Sequence, residues 1–159
     1  MNQIATINRL DEIAAPDSKR TTVLVGGCFD VLHYGHIEFL LSAKKTGDVL
    51  VVALESDQYI IETKKRQPVH SQIQRAKILS SLRPVDVVVL LPRLRTNEEY
   101  FEMVKKIKPA VIATTRGDSM LEIKKQQAKV ISAKVKVVSE LIKPFSSSYI
   151  TNYAALSRH

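Results

Sequence analysis

The chain has 159 residues, 45% of them hydrophobic, with one cysteine and a formal net charge of +8. That length suits one compact domain with its own core. A single cysteine excludes an internal disulfide and argues against a cysteine-built zinc site, while no apolar run approaches the roughly 20 residues of a membrane span. The opening MNQIATINRLDEIAAPDSKR lacks the basic-then-apolar order of a signal peptide, so the expectation is a cytoplasmic protein with no membrane partner. The basic field draws anionic partners: phosphates, nucleotides or nucleic acid.

In chain order, residues 1–20 read as a helical extension, INRLDEIA being weakly helical and Pro16-Asp17-Ser18 forming the loop into a domain over 21–159. TTVLVGG (21–27) is the first strand. Ile37, Leu40 and Leu41 follow at helical spacing, and Thr46-Gly47-Asp48 closes that helix before the second strand, DVLVVALE (48–55). In SQIQRAKILSSLRP (71–84), Ser71 is placed as an N-cap, Ala76, Leu79 and Leu82 form the apolar stripe, and Pro84 stops the helix. DVVVLLP (86–92) is the third strand. TNEEYFEMVKKIK (96–108) carries acids early and lysines late, as the helix dipole favours. AVIAT (110–114) is the fourth strand, Asp118 or Ser119 caps a helix over 119–132, KVVS (136–139) is the fifth strand, and a last helix begins among Ser146–Ser148. β-branched runs alternating with helices predict an α/β fold: a five-stranded parallel sheet, buried on both faces and flanked by helices, in a single domain.

In such a sheet ligands bind beyond the carboxyl ends of the strands, where strand order reverses. The chain has four histidines, and two of them, His33 and His36, flank Gly35 directly after the first strand. Gly26 and Gly27 allow a tight turn and close backbone approach, and the helix starting near His36 aims its N-terminal dipole at the same place. Imidazoles there donate hydrogen bonds to phosphate oxygens, so the pair reads as a phosphate clamp. The competing reading is a turn whose histidines only satisfy backbone groups.

Gly27-Cys28-Phe29-Asp30-Val31-Leu32-His33-Tyr34-Gly35-His36 resembles the strand-GxFDxxHxGH-helix signature of the HxGH nucleotidyltransferase superfamily, which includes glycerol-3-phosphate cytidylyltransferases and the adenylyltransferases of ADP-heptose synthesis. The likeness runs over roughly residues 22–155 and implies a Rossmann-like domain that moves CMP or AMP from CTP or ATP, with Mg²⁺, to a small phosphorylated acceptor. It implies His33 and His36 on the phosphate chain and Gly27, Cys28, Phe29 and Gly35 around the nucleotide. In KKRQPVHSQIQRAKILSSLRPVD (64–86) it implies a lysine reaching the triphosphate, with Lys65 preferred over Lys64 and Arg66 in competition. Arg75 and Arg83 match arginines of the same region. A solvated basic loop, and a surface position for Arg75, are the plainer alternatives.

TTRGDSM (114–120) resembles the superfamily's Gly-Asp segment beside base and ribose, with Gly117 permitting close approach and Asp118 either accepting from a hydroxyl or capping the next helix. FSSSYI (145–150) resembles the serine/threonine motif that holds the triphosphate, implying Ser146, Ser147 and Ser148, although a serine run also makes an N-cap. Cys28 and the N-terminal segment resemble the heptose-phosphate adenylyltransferases, whereas Val69-His70-Ser71 resembles the glycerol-phosphate cytidylyltransferases. The chain departs from both, with Leu141-Ile142-Lys143-Pro144-Phe145 in place of an Arg-Thr-x-Gly-Ile lead and Arg116-Gly117-Asp118 in place of Gly-Gly-Asp. CTP is preferred slightly over ATP. The alternatives are an FAD synthetase-like enzyme acting on FMN, since such enzymes share the framework, and an inactive nucleotide-binding regulator. Aromatics at 6%, with no aromatic–basic interleaving, point away from nucleic acid. A homodimer is an option the resemblance adds.

Overall fold

Burial on both faces decides where the central strands form. In the computed structural model, which describes residues 3–9, 19–140, 142 and 146–156, alternate residues of one strand feed two different cores. Val23 and Val25 join Leu40, Ala43, Leu50, Val52, Ala76 and Leu79 on one side of the sheet. Leu24 joins Val51, Ala53, Val89, Met103, Val104 and Ile107 on the other. Continuous apolar runs are what a sheet covered by helices on both sides requires.

The sheet has six parallel strands, β1 (Gln3–Thr6), β2 (Thr22–Gly27), β3 (Val49–Leu54), β4 (Val87–Leu90), β5 (Val111–Thr115) and β6 (Lys134–Ser139), in the order β1-β4-β3-β2-β5-β6. The helices are α1 (Tyr34–Lys44), α2 (Asp57–Lys64), α3 (Gln72–Ser80), α4 (Asn97–Ile107), α5 (Leu121–Val130) and α6 (Ser147–Leu156). From β2 the chain steps outward through β3 to β4, then crosses back to β5 and β6. Strand order therefore reverses between β2 and β5, beside the histidine turn.

Two expectations are corrected. The sheet has six strands rather than five, because Gln3–Thr6, within the predicted helical extension, pairs in parallel with Val87–Leu90. Only Ala5 of that strand is buried, so its sequence carries no alternation to reveal an edge strand. Ile7–Arg9 makes a single 3-10 turn, and the rest of the predicted extension, through Pro16-Asp17-Ser18, lies outside the described residues. Helix α2 was not foreseen; Ser56 caps it by accepting the Tyr59 N–H at 3.1 Å.

Ser71 caps its helix where the sequence puts it, whereas neither Asp118 nor Ser119 is the N-cap of α5, which is Met120. Ser71 and Gln74 form a capping box at the start of α3, and Thr96 and Glu99 form another at α4. Helix α5 is shorter than predicted, beginning after an Asp118 turn rather than at 119.

Candidate active site

A cavity of about 860 Å³ lies over the carboxyl ends of β2, β3 and β5, within the range of small-molecule sites. Its floor is the turn from β2 into α1. Gly27 stays in the strand, and a Cβ there would stand 2.9 Å from the Phe29 ring, so the glycine makes room for that ring. Phe29 packs on His36 with centroids 5.1 Å apart. The backbone is left-handed at Phe29 (φ 46°) and again at Val31 (φ 62°), an unusual conformation for a β-branched residue that neighbouring contacts must hold.

Asp30 supplies that hold. The side chain is fully buried between these two residues and accepts from Arg66 at 2.5 Å and from the Val69 and His70 N–H groups at 3.1 Å. Burial alone would raise the Asp30 pKa; the Arg66 and backbone hydrogen bonds outweigh it and hold the carboxyl below its ordinary range. The turn is thereby tied to the loop between α2 and α3.

His33 is the N-cap of α1 and makes no side-chain capping bond. His36 lies one turn into the helix, and the two imidazoles stack with centroids 3.7 Å apart and planes 24° apart. Gly35 lines the cavity between them. Both Nδ1 atoms are buried without a hydrogen-bond partner among the described residues. Burial lowers the His33 pKa, and burial with the neighbouring His33 pushes His36 down to about 4, so the pair is neutral near pH 7. Burial and then Glu55 push the Cys28 thiol up to about 11, away from the thiolate form.

The basic region sorts itself by geometry. Lys64 and Arg66 line the cavity. Lys65, the preferred residue, is instead the left-handed C-cap of α2 (φ 55°) and does not line it, which reverses the expected order of the two lysines. Arg75 does not line the cavity and is not a surface residue. Its guanidinium is buried and committed to the Cys28 carbonyl at 2.5 Å, the His70 carbonyl at 3.1 Å and Asp57 at 2.7 Å, so it braces the turn from behind. Arg83 follows α3, exposed and away from the cavity.

Across β2, Gly117 is left-handed (φ 81°) with nothing within 4 Å of where a Cβ would stand, an open surface for close approach. Asp118 lines the cavity but is engaged: Thr114 and Lys124 (2.5 Å) donate to one oxygen and the Met120 N–H (2.9 Å) to the other. Asp118 does not cap the helix either: the N-cap is Met120, without a side-chain capping bond, and Asp118 closes the turn before it. Ser146 accepts the Tyr149 N–H at 3.1 Å as the cap of α6, Ser147 donates to the Val31 carbonyl at 3.5 Å, and both line the cavity. The Ser148 side chain, and residues 141 and 143–145 of the divergent lead, lie outside the described residues.

Two residues escaped the sequence reading. Asp30 stood inside the quoted motif without a role. Glu55, at the end of β3, lines the cavity at 8% exposure and accepts from the Tyr100 hydroxyl at 2.7 Å; a charge ending the apolar run DVLVVALE was the available signal.

A parallel sheet with a histidine turn and a helix N-terminus at its switch point defines a Rossmann-like nucleotide-binding domain. A family model described as cytidylyltransferase-like matches residues 24–157, and the chain belongs to that family of nucleotidyltransferases. It is 38% identical over 122 residues to an FAD synthase of Pyrococcus abyssi, covering 76% of this chain and 80% of that one. It is 44% identical over 95 residues to an FAD synthase of Thermococcus sibiricus (60% and 62%) and 43% identical over 105 residues to the bifunctional protein HldE of Campylobacter fetus (65% and 22%). The chain thus spans about a fifth of HldE and under two thirds of the T. sibiricus protein. Among solved structures, a lipopolysaccharide core biosynthesis protein from Thermoplasma volcanium superposes with a TM-score of 0.62 at 26% identity, over 79% of this chain and 99% of that one. No helix among the described residues is long and apolar enough to cross a membrane.

Proposed function

We propose that this nucleotidyltransferase moves AMP from ATP to the phosphate of a small acceptor. An acceptor phosphate oxygen attacks the α-phosphorus; that P–O bond forms as the bond to the bridging α–β oxygen breaks, and pyrophosphate leaves with the electron pair. No covalent enzyme intermediate is needed, so the protein positions the reactants and stabilises charge on the phosphoryl oxygens.

The observation that carries the reading is the stacked His33–His36 pair, both residues lining the cavity at a helix N-terminus without a side-chain cap. The imidazoles and the helix-end N–H groups form a cradle for a polyanion. Lys64 brings positive charge from the α2 side, and Ser146 and Ser147 close the cradle from α6. ATP enters as its Mg²⁺ complex, the triphosphate oxygens being the hard ligands that ion takes. A nucleoside triphosphate donor suits the expected cytoplasmic setting.

ATP is favoured over the initially preferred CTP by the relatives named FAD synthase, because FAD contains an AMP unit. The same relatives favour a second reading in which FMN is the acceptor. Pyrophosphate release, with ATP or CTP against glycerol 3-phosphate, sugar 1-phosphates, phosphoethanolamine and FMN, tests both. Acceptor-dependent release with ATP is expected. His36→Ala should lower kcat by on the order of 10²–10³ while ATP affinity changes far less; an unchanged kcat removes His36 from the mechanism.

A further inference from the structure

Glu55 is a buried carboxylate left half satisfied inside a ligand cavity. Its Oε1 accepts from the Tyr100 hydroxyl, while Oε2 is buried with no hydrogen-bond partner among the described residues. The Glu55 N–H pairs with the Gly27 carbonyl at 3.0 Å, which places the residue on the β3 side of the histidine turn, opposite Gly117 and Asp118 on the β5 side. A buried acceptor without a donor costs stability, and a ligand that supplies the donor recovers it.

The chemistry of that donor is constrained. A phosphate would be repelled by the carboxylate, and an apolar group would leave Oε2 unpaired. An ammonium group is disfavoured because Arg93 and Arg95, which share the one Glu62 carboxylate at 2.8 and 3.1 Å, leave an excess of positive charge on this side. The Arg93 guanidinium lies 5.2 Å from the Tyr59 ring centroid, over the aromatic face an alkylammonium would use, and Arg93 and Arg95 both line the cavity. A neutral hydroxyl meets Oε2 without adding charge, and these arginines favour a ligand that is anionic elsewhere.

We infer that Glu55 hydrogen-bonds a hydroxyl of the acceptor, making the β3–β4 side of the cavity a subsite for polyhydroxy phosphates, polyol or sugar phosphates in class. The inference rests on the transfer reading above and names its acceptor. Glu55 is a specificity residue here; it touches the acceptor away from the reacting phosphate.

The test pairs sugar and polyol phosphates with analogues lacking one hydroxyl, measured on wild type, Glu55→Leu and Glu55→Gln. Equilibrium binding to the protein saturated with α,β-methylene ATP is read beside pyrophosphate release with ATP. Wild type should prefer one hydroxylated acceptor over its deoxy partner by about 10–100-fold, the scale of a hydrogen bond to a charged group. In Glu55→Leu that ratio should fall to near one with the KM for ATP unchanged. Glu55→Gln, which keeps an acceptor for Tyr100, should retain part of it and serves if the leucine variant does not fold. A ratio that persists in both variants overturns the inference, as does a loss of discrimination between ATP and its 2′- or 3′-deoxy forms, which would put Glu55 on the nucleoside. Glu55-dependent binding without pyrophosphate release would sustain the subsite and sink the transfer reading. Release with phosphoethanolamine or FMN that is indifferent to Glu55 would do the reverse.

Discussion

Asp30 and Glu55 follow neighbouring strands at the same end of the sheet, both buried, and their surroundings push them in opposite directions. Asp30 receives Arg66 and two backbone N–H groups, and its pKa falls. Glu55 receives only the Tyr100 hydroxyl on one oxygen; burial outweighs that bond and the nearby arginines, and its pKa rises. The satisfied carboxylate fixes the histidine turn, where the left-handed Phe29 and Val31 need a constraint. The half-satisfied one accepts from Tyr100 but leaves Oε2 without a donor among the described residues, which is what a group kept for a ligand looks like.

The sharpest way to break the contrast is to remove the satisfied member. Asp30→Ala leaves Arg66 and two N–H groups without their acceptor, and the loss of one partner from a buried ion pair costs about 3–5 kcal/mol. Because the Arg66 side chain keeps 24% exposure and can regain water, a loss near 3 kcal/mol in urea denaturation is expected. A loss below 1 kcal/mol would mean that the turn holds itself. The Asp30 contribution also has a pH signature: its lowered pKa makes the stabilisation complete above the ordinary carboxylate range and lost as pH falls through the depressed value. The acid side of the stability curve should therefore flatten in Asp30→Asn.

The same division separates the cations, with a smaller expected effect. Arg66 and Arg75 are committed to Asp30, Asp57 and backbone carbonyls, whereas Lys64 lines the cavity and Lys65 does not. Lys64→Ala should lower kcat/KM for ATP about tenfold or more, the scale of a charge-assisted hydrogen bond, and Lys65→Ala should change it less than about twofold. Equal losses at both positions would show that the loop rearranges around the nucleotide.

What the sequence made legible follows from the range of the forces involved. β2 through β6, the cap at Ser71 and the histidine turn are local patterns, readable within a few residues of chain. β1 was hidden because an edge strand with one buried residue owes its place to Val87–Leu90, far away in sequence. The burial of Arg75 was hidden for the same reason: it depends on carbonyls at Cys28 and His70 and on Asp57. Which of two adjacent lysines faces the cavity depends on where α2 ends, and element ends are the least legible feature of a sequence. Glu55 marks the boundary case, since its charge at the end of an apolar run was visible but the missing partner on Oε2 exists only in three dimensions.

The smallest effect gives the comparison its opposite sign. Because burial raises the Glu55 pKa in the folded protein, the unfolded chain releases that proton first, and the native state loses stability as pH rises above the ordinary glutamate value near 4.5. Glu55→Gln keeps the size of the side chain and an acceptor for Tyr100 while removing the charge. It should be more stable than wild type at pH 7–8, and the gain should shrink as pH falls below the ordinary glutamate value, where wild-type Glu55 takes up its proton in both states. Thermal or urea unfolding on either side of that value reads the difference directly. A variant less stable than wild type at pH 8 would show that Arg93 and Arg75 depend on the Glu55 charge, and would move Glu55 into the same structural role as Asp30.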